Sequence, residues 1–107
     1  AHLKKHGFDE VEYVVNEGYG PAKTSHKSKV AQALIDSLTE LGHPPEIWPH
    51  LGGSAPFHVF TNTLGIPFAF GGLGKGGRAH SPNEWANVDS MKDFEKSMVV
   101  FLGKLGE

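Results

Sequence analysis

The sequence predicts an α/β fold, from two apolar stripes at helical spacing, a compact apolar run between them, and the alternation of such elements along the chain. In the first stripe Val30, Leu34, Leu38 and Leu41 recur at helical spacing, and Ala31 and Ile35 widen it. Gly42 follows as a cap and Pro44-Pro45 as a stop, so a helix is expected over 27–41. In the second, Met91, Phe94, Met98, Phe101, Leu102 and Leu105 share one face of a helix expected over 91–105. Ser90 is its expected cap, and Asp93 favours its first turn. Between the stripes, Ile66-Pro67-Phe68-Ala69-Phe70 predicts a short strand, which Pro67 places near an edge or at a strand start.

The remaining elements follow from smaller signals. Ser54 is expected to cap a helix over 55–64 that buries Phe57, Phe60 and Leu64 and ends at Gly65. Glu46-Ile47-Trp48 is too short to identify alone but suits a brief strand. At the start, Leu3, Lys4 and Lys5 suit the end of a helix, with Gly7 as a left-handed cap and Phe8 packing back on it. The opening reads as the last turns of a helix whose beginning is missing. Val11, Tyr13 and Val15 alternate with Glu10 and Glu12, the pattern of a half-buried strand. Asn16-Glu17-Gly18-Tyr19-Gly20-Pro21 is a break, taken as the boundary between residues 1–19 and 20–107. In open α/β sheets ligands gather at loops beyond the strand ends, where the Gly52-Gly53-Ser54 turn and the loop leading to His80 fall.

Composition narrows the function. A formal net charge of −2 argues against nucleic acid, whose partners show a basic excess. The chain has no cysteine, which removes disulfides and thiolate zinc sites and fits a reducing, cytoplasmic setting. No apolar run approaches the roughly 20 residues that span a bilayer, so no membrane partner is expected.

Gly72-x-Gly74-x-x-Gly77 matches a dinucleotide fingerprint by letter only. Such a site needs a helix N-terminus facing the pyrophosphate, whereas Arg78-Ala79-His80-Ser81-Pro82 follows and does not read as helix. Nor is it a P-loop, because Lys75 precedes glycine instead of serine or threonine. The plain reading is a tightly turning loop that lets backbone approach a ligand.

The seven histidines differ in how simply they are read. His2 and His6 suit a helix end, His26 and His43 flank a helix as surface residues, and His58 reads as a partly buried polar group, with a site-facing one the alternative. His50 precedes the Gly52-Gly53 turn and is a weaker site candidate. His80 stands apart through its neighbours. Pro82 stiffens the turn, and Asn83 and Glu84 offer an amide and a carboxylate of the kind that orient a metal-bound imidazole. Catalytic zinc takes about three protein ligands, and the chain has no His-Glu-x-x-His, no His-x-Asp and no Glu-Glu pair. Any other ligands, and a general base, are expected outside these 107 residues.

The stretch Trp48-Pro49, Gly52-Gly53-Ser54-Ala55-Pro56, Leu64-Gly65-Ile66-Pro67 and His80-Ser81-Pro82-Asn83-Glu84 resembles the C-terminal end of a di-zinc family. That family includes glutamate carboxypeptidases, carnosine dipeptidases, aminoacylases and succinyl-diaminopimelate desuccinylase. Gly18-Tyr19-Gly20-Pro21-Ala22-Lys23-Thr24 also resembles its re-entry from lid to catalytic domain. The resemblance implies a zinc-peptidase-like α/β catalytic domain, of which 20–107 would be the C-terminal half. Residues 1–19 would be the last helix and strand of a ferredoxin-like lid that also dimerises, making the parent a homodimer. It implies two zinc ions per site, or other divalent metals, with His80 the one ligand from this half. Gly53 and Ser54 would lie near the substrate, and Asn83 and Glu84 would shape the ligand loop. The implied substrate is a small peptide, cleaved at an amide bond by metal-activated water; an N-acyl amino acid is the alternative, as in acetylornithine deacetylase-like enzymes. A non-catalytic binding module, with His80 an ordinary loop residue, is the reading from another class. No residue of this chain is expected to act as catalytic acid or base, so the chain alone is expected to be inactive.

Overall fold

The computed structural model describes residues 2–16 and 18–107, so Ala1 and Glu17 of the expected boundary lie outside the described residues. In chain order the elements are α1 (His2–Lys5), α2 (Lys29–Glu40), a π-helical turn (Val59–Thr63), β1 (Gly76–Gly77), β2 (Trp85–Ala86) and α3 (Val88–Gly106).

Two expected glycine caps form. Gly7 takes φ +77° while the amides of Gly7 and Phe8 donate to the carbonyls of Lys4 and Leu3. Gly42 takes φ +81° while the amides of Gly42 and His43 donate to those of Thr39 and Leu38. Both are Schellman closures, which satisfy helix-end carbonyls through a backbone conformation that glycine adopts without strain. At its start α2 is capped by Ser28, whose Oγ accepts the Ala31 amide at 3.4 Å, so the helix begins two residues later than expected.

The last helix begins earlier than expected, and Ser90 is not its cap. Asn87 takes that role: its extended backbone (φ −88°, ψ 122°) ends the preceding strand, and its Oδ1 accepts the Ser90 amide at 2.9 Å. Helices α2 and α3 pack against each other, forming the main tertiary contact. Their fully buried side chains are Ser37 and Ser97, with Ala33 and Leu38 also buried. Small residues at a helix contact let the axes approach. Each serine hydroxyl donates to its own helix, Ser37 to the Leu34 carbonyl at 2.8 Å and Ser97 to the Phe94 carbonyl at 2.7 Å. The burial therefore leaves no hydroxyl proton unpaired. Across the far end, Lys104 Nζ meets Glu40 Oε2 at 2.7 Å.

Three expectations are corrected. The apolar face of α3 is only partly covered: Met98, Phe101 and Leu105 are half-buried, while Met91, Phe94 and Leu102 are exposed. The helix expected over 55–64 is a single π-helical turn closed by the Leu64 amide on the Val59 carbonyl; Ser54 does not cap it, and Phe60 and Leu64 are exposed. The runs 66–70 and 11–15 do not form strands. A strand exists only by its ladder, and among the described residues the only ladder is the antiparallel pair Gly76↔Ala86 and Gly77↔Trp85. The Phe68 amide instead donates to Thr24 Oγ1 at 3.1 Å, and Val14 is 86% exposed.

The chain is open. Its accessible surface is 8890 Å², against about 5,800 Å² for a compact monomer of this mass. Its radius of gyration is 18.8 Å, against about 13 Å for a compact domain of this length. The excess is apolar in good part: Trp48, Phe70, Ile47 and Leu51 are all exposed beside a trough of about 1450 Å³. That volume exceeds the ~300–1,000 Å³ of ligand pockets, so the trough is an uncovered face and no pocket for one small molecule. On its wall Phe57 stacks on Phe68 at 4.9 Å and tilts against Phe70 at 5.3 Å. No helix among the described residues is long and apolar enough to cross a membrane.

Candidate metal-ligand site

His80 sits in the connection of the β1–β2 hairpin, which spans 78–84. The hairpin is built on glycine for a steric reason. A Cβ on Gly76 would lie 2.7 Å from the Trp85 carbonyl oxygen, and one on Gly77 would lie 2.9 Å from Trp85 Nε1. Trp85 thus lies across the β1 backbone, and only glycine lets the two strands meet there. The glycine-rich loop that resembled a nucleotide fingerprint ends in this hairpin, and no helix begins after it before Val88.

The connection curls sharply. Arg78, His80 and Asn83 take φ of 60°, 61° and 61°, in the left-handed region that non-glycine residues rarely adopt. The Ser81 amide donates to the Arg78 carbonyl at 3.0 Å, closing a tight turn around His80. Asparagine tolerates this conformation through its short polar side chain, which accounts for Asn83. For His80 it is a strained conformation of the kind that concentrates at functional sites. Its side chain is exposed, as are Ser81, Pro82, Asn83 and Glu84. The sequence signal for Asn83 was its amide; its backbone conformation was the part that sequence reading missed.

The other expected site residues lie elsewhere. Gly53 and Ser54 are exposed and line the trough with Trp48, Phe57 and Phe70, whereas His80 is not on that lining. The described structure therefore does not gather Gly53, Ser54 and His80 around one point. His50 lines the same trough as an exposed residue. His58 is half-buried beside it, stacked on Tyr19 at 5.9 Å, with Nδ1 buried and unpartnered among the described residues.

Among the described residues no three histidine, cysteine, aspartate or glutamate side chains come together as a metal-holding group. Catalytic zinc takes about three protein ligands, more than any one place among the described residues brings together. What the donor set fits is the supply of a single imidazole from an exposed, tightly turned hairpin.

The family model for peptidase family M20/M25/M40 matches residues 5–104, nearly the whole chain. The chain belongs to this family, a class of metal-dependent hydrolases acting on peptides and binding zinc or other divalent ions. Comparison with curated proteins and with solved structures returned no match.

Proposed function

We propose that this chain is the C-terminal part of a zinc-dependent dipeptidase or carboxypeptidase, and that His80 is the one metal ligand it supplies. The observation that carries the reading is the left-handed His80 at the exposed turn of a hairpin, within the His-Ser-Pro-Asn-Glu run and inside the family match. A strained backbone at an exposed imidazole is explained if that imidazole must point at something outside the hairpin. In this reading residues 1–19 belong to a lid that dimerises and 20–107 to the catalytic unit. The uncovered apolar trough supports it, because half of a domain leaves its inner face open.

When bound, zinc lowers the pKa of its water and polarises the scissile carbonyl. The chain's own residues have a narrower task. The hairpin presents the His80 imidazole, whose ring nitrogen is the donor it would supply. Gly53 and Ser54, which line the trough apart from His80, offer a substrate room beside the backbone and a hydroxyl donor to its carboxylate. Asn83 and Glu84 set the course of the loop. No group here serves as general base, so catalysis draws on residues beyond this chain.

The experiment is turnover of the whole protein with two substrate sets, dipeptides and N-acyl amino acids. Preferred cleavage of dipeptides bears the reading out. Preferred cleavage of N-acyl amino acids replaces it with the deacylase, and failure on both removes the hydrolase assignment.

A further inference from the structure

We propose that Ser90, in the first turn of α3, is a positioning residue that holds the His80 hairpin in place, an assignment resting on His80 being the ligand. The chain of contacts starts at the helix cap. Asn87 Oδ1 accepts the Ser90 amide at 2.9 Å, and the Asn87 carbonyl accepts the Ser90 hydroxyl proton at 2.8 Å. With its proton committed there, the Ser90 oxygen turns a lone pair outward and accepts the Lys75 amide at 2.9 Å. The Asn87 amide in turn donates to the Lys75 carbonyl at 2.8 Å. Both backbone groups of Lys75 are therefore held by the start of a 19-residue helix.

Lys75 is the residue before β1, and Asn87 is the residue after β2. The hairpin thus stands on two feet that meet at one helix terminus, and His80 projects from its far end. Two strands of two residues each do not hold an orientation by themselves. The Asn87–Lys75 bond only extends their ladder by one pair. The Ser90 hydroxyl is the side-chain tie from the first foot to the body of the helix, and so bears on the direction in which the hairpin points. Its role is separable from capping, because Ser90→Ala keeps the amide that donates to Asn87 Oδ1. Ser90→Thr keeps the hydroxyl as well.

The test uses the whole protein as wild type, Ser90→Ala, Ser90→Thr and His80→Ala. Amide hydrogen exchange is read at Lys75, Gly77 and along α3, and the metal-stripped proteins are titrated with zinc ion alone. Ser90→Ala is expected to speed exchange at Lys75 and Gly77 and to weaken one zinc site about tenfold, the low end for groups that orient a ligand. Protection of α3 beyond its first turn stays unchanged, and Ser90→Thr restores both readouts. If His80→Ala abolishes one zinc site while Ser90→Ala alters neither exchange nor affinity, the positioning role is overturned and the ligand stands. If Ser90→Ala strips protection from the whole of α3, Ser90 is a folding residue and the proposal is also overturned. If His80→Ala keeps full zinc affinity, the ligand reading falls and takes the proposal with it.

Discussion

A Cβ built on Gly77 would lie 2.9 Å from Nε1 and 3.0 Å from Cε2 of Trp85, so the indole occupies the space a side chain would need. At the neighbouring Gly76 the obstacle is the Trp85 carbonyl oxygen at 2.7 Å, which is backbone and cannot swing aside. Gly76→Ala is therefore expected to open the hairpin at a cost of about 1–3 kcal/mol, typical of overpacking. Gly77→Ala should cost less, because the half-exposed indole can turn away, and Trp85→Ala should largely relieve it. Urea melts of the single and double variants check this. Equal penalties at both glycines, with no relief from Trp85→Ala, count against the geometry.

His80 and Asn83 share a left-handed backbone but not a function, and substitution should separate the two. His80→Gly removes the ligand and also the strain, so it should raise stability by about 1 kcal/mol while eliminating one zinc site. Thermal melts in chelator and zinc titration give the two readouts, whose opposite signs are the point. Stability lowered along with zinc binding would mean that the histidine supports the fold.

Asn83→Gly preserves the conformation that φ 61° demands, whereas Asn83→Ala does not. The glycine variant should keep near-normal zinc affinity and turnover in the whole protein, with the alanine variant weaker by roughly tenfold. Equal losses in both would give the role to the amide side chain, as its place beside His80 in the sequence first suggests.

The Glu40–Lys104 pair joins α2 to α3 and yields a dependence on pH. The hydrogen bond that Lys104 donates to Glu40 holds its ammonium above the ordinary value of 10.5, against some desolvation, with the Glu40, Glu107 and Asp36 charges adding to the rise. A lysine whose pKa rises on folding contributes stability in full below its unfolded value and loses it as pH climbs through the folded one. The stability gap between wild type and Lys104→Met should thus hold level through neutral pH and close above 10.5. Because Glu40 is more than half exposed, the gap is small and shrinks with salt. Melts across pH at low and high salt measure it, and a gap that widens above that value contradicts the assignment.

The parts legible in the sequence were those written locally. The helix at Lys29–Glu40 and the last helix announce themselves through apolar spacing, and Gly7 and Gly42 through the cap that only a positive φ makes. His80 was singled out by its neighbours in the His-Ser-Pro-Asn-Glu run, and its role as a ligand remains the proposal made above. What failed was non-local. Ile66–Phe70 has the composition of a strand, but a ladder needs a second strand, and the described chain offers none beside it. Ser37 and Ser97, the most buried side chains, carry no hydrophobic signal at all; their burial follows from hydroxyls that bond back to their own helices. Asn87 took the capping role expected of Ser90, because both are good caps and sequence spacing does not decide between residues three apart.

The central claim is that this chain brings one zinc ligand to an enzyme whose other ligands lie outside it. The most direct measurement is the zinc content and turnover of the whole protein as wild type and as His80→Ala, with the 107-residue chain assayed alongside. The account predicts that His80→Ala loses one zinc and most turnover while its melting behaviour stays near wild type, since no other group in the loop can supply an imidazole nitrogen at about 2.0–2.1 Å from the metal. The isolated chain should bind zinc weakly and hydrolyse nothing. Full zinc content and near-normal turnover in His80→Ala would contradict the account and return His80 to the status of an ordinary loop residue.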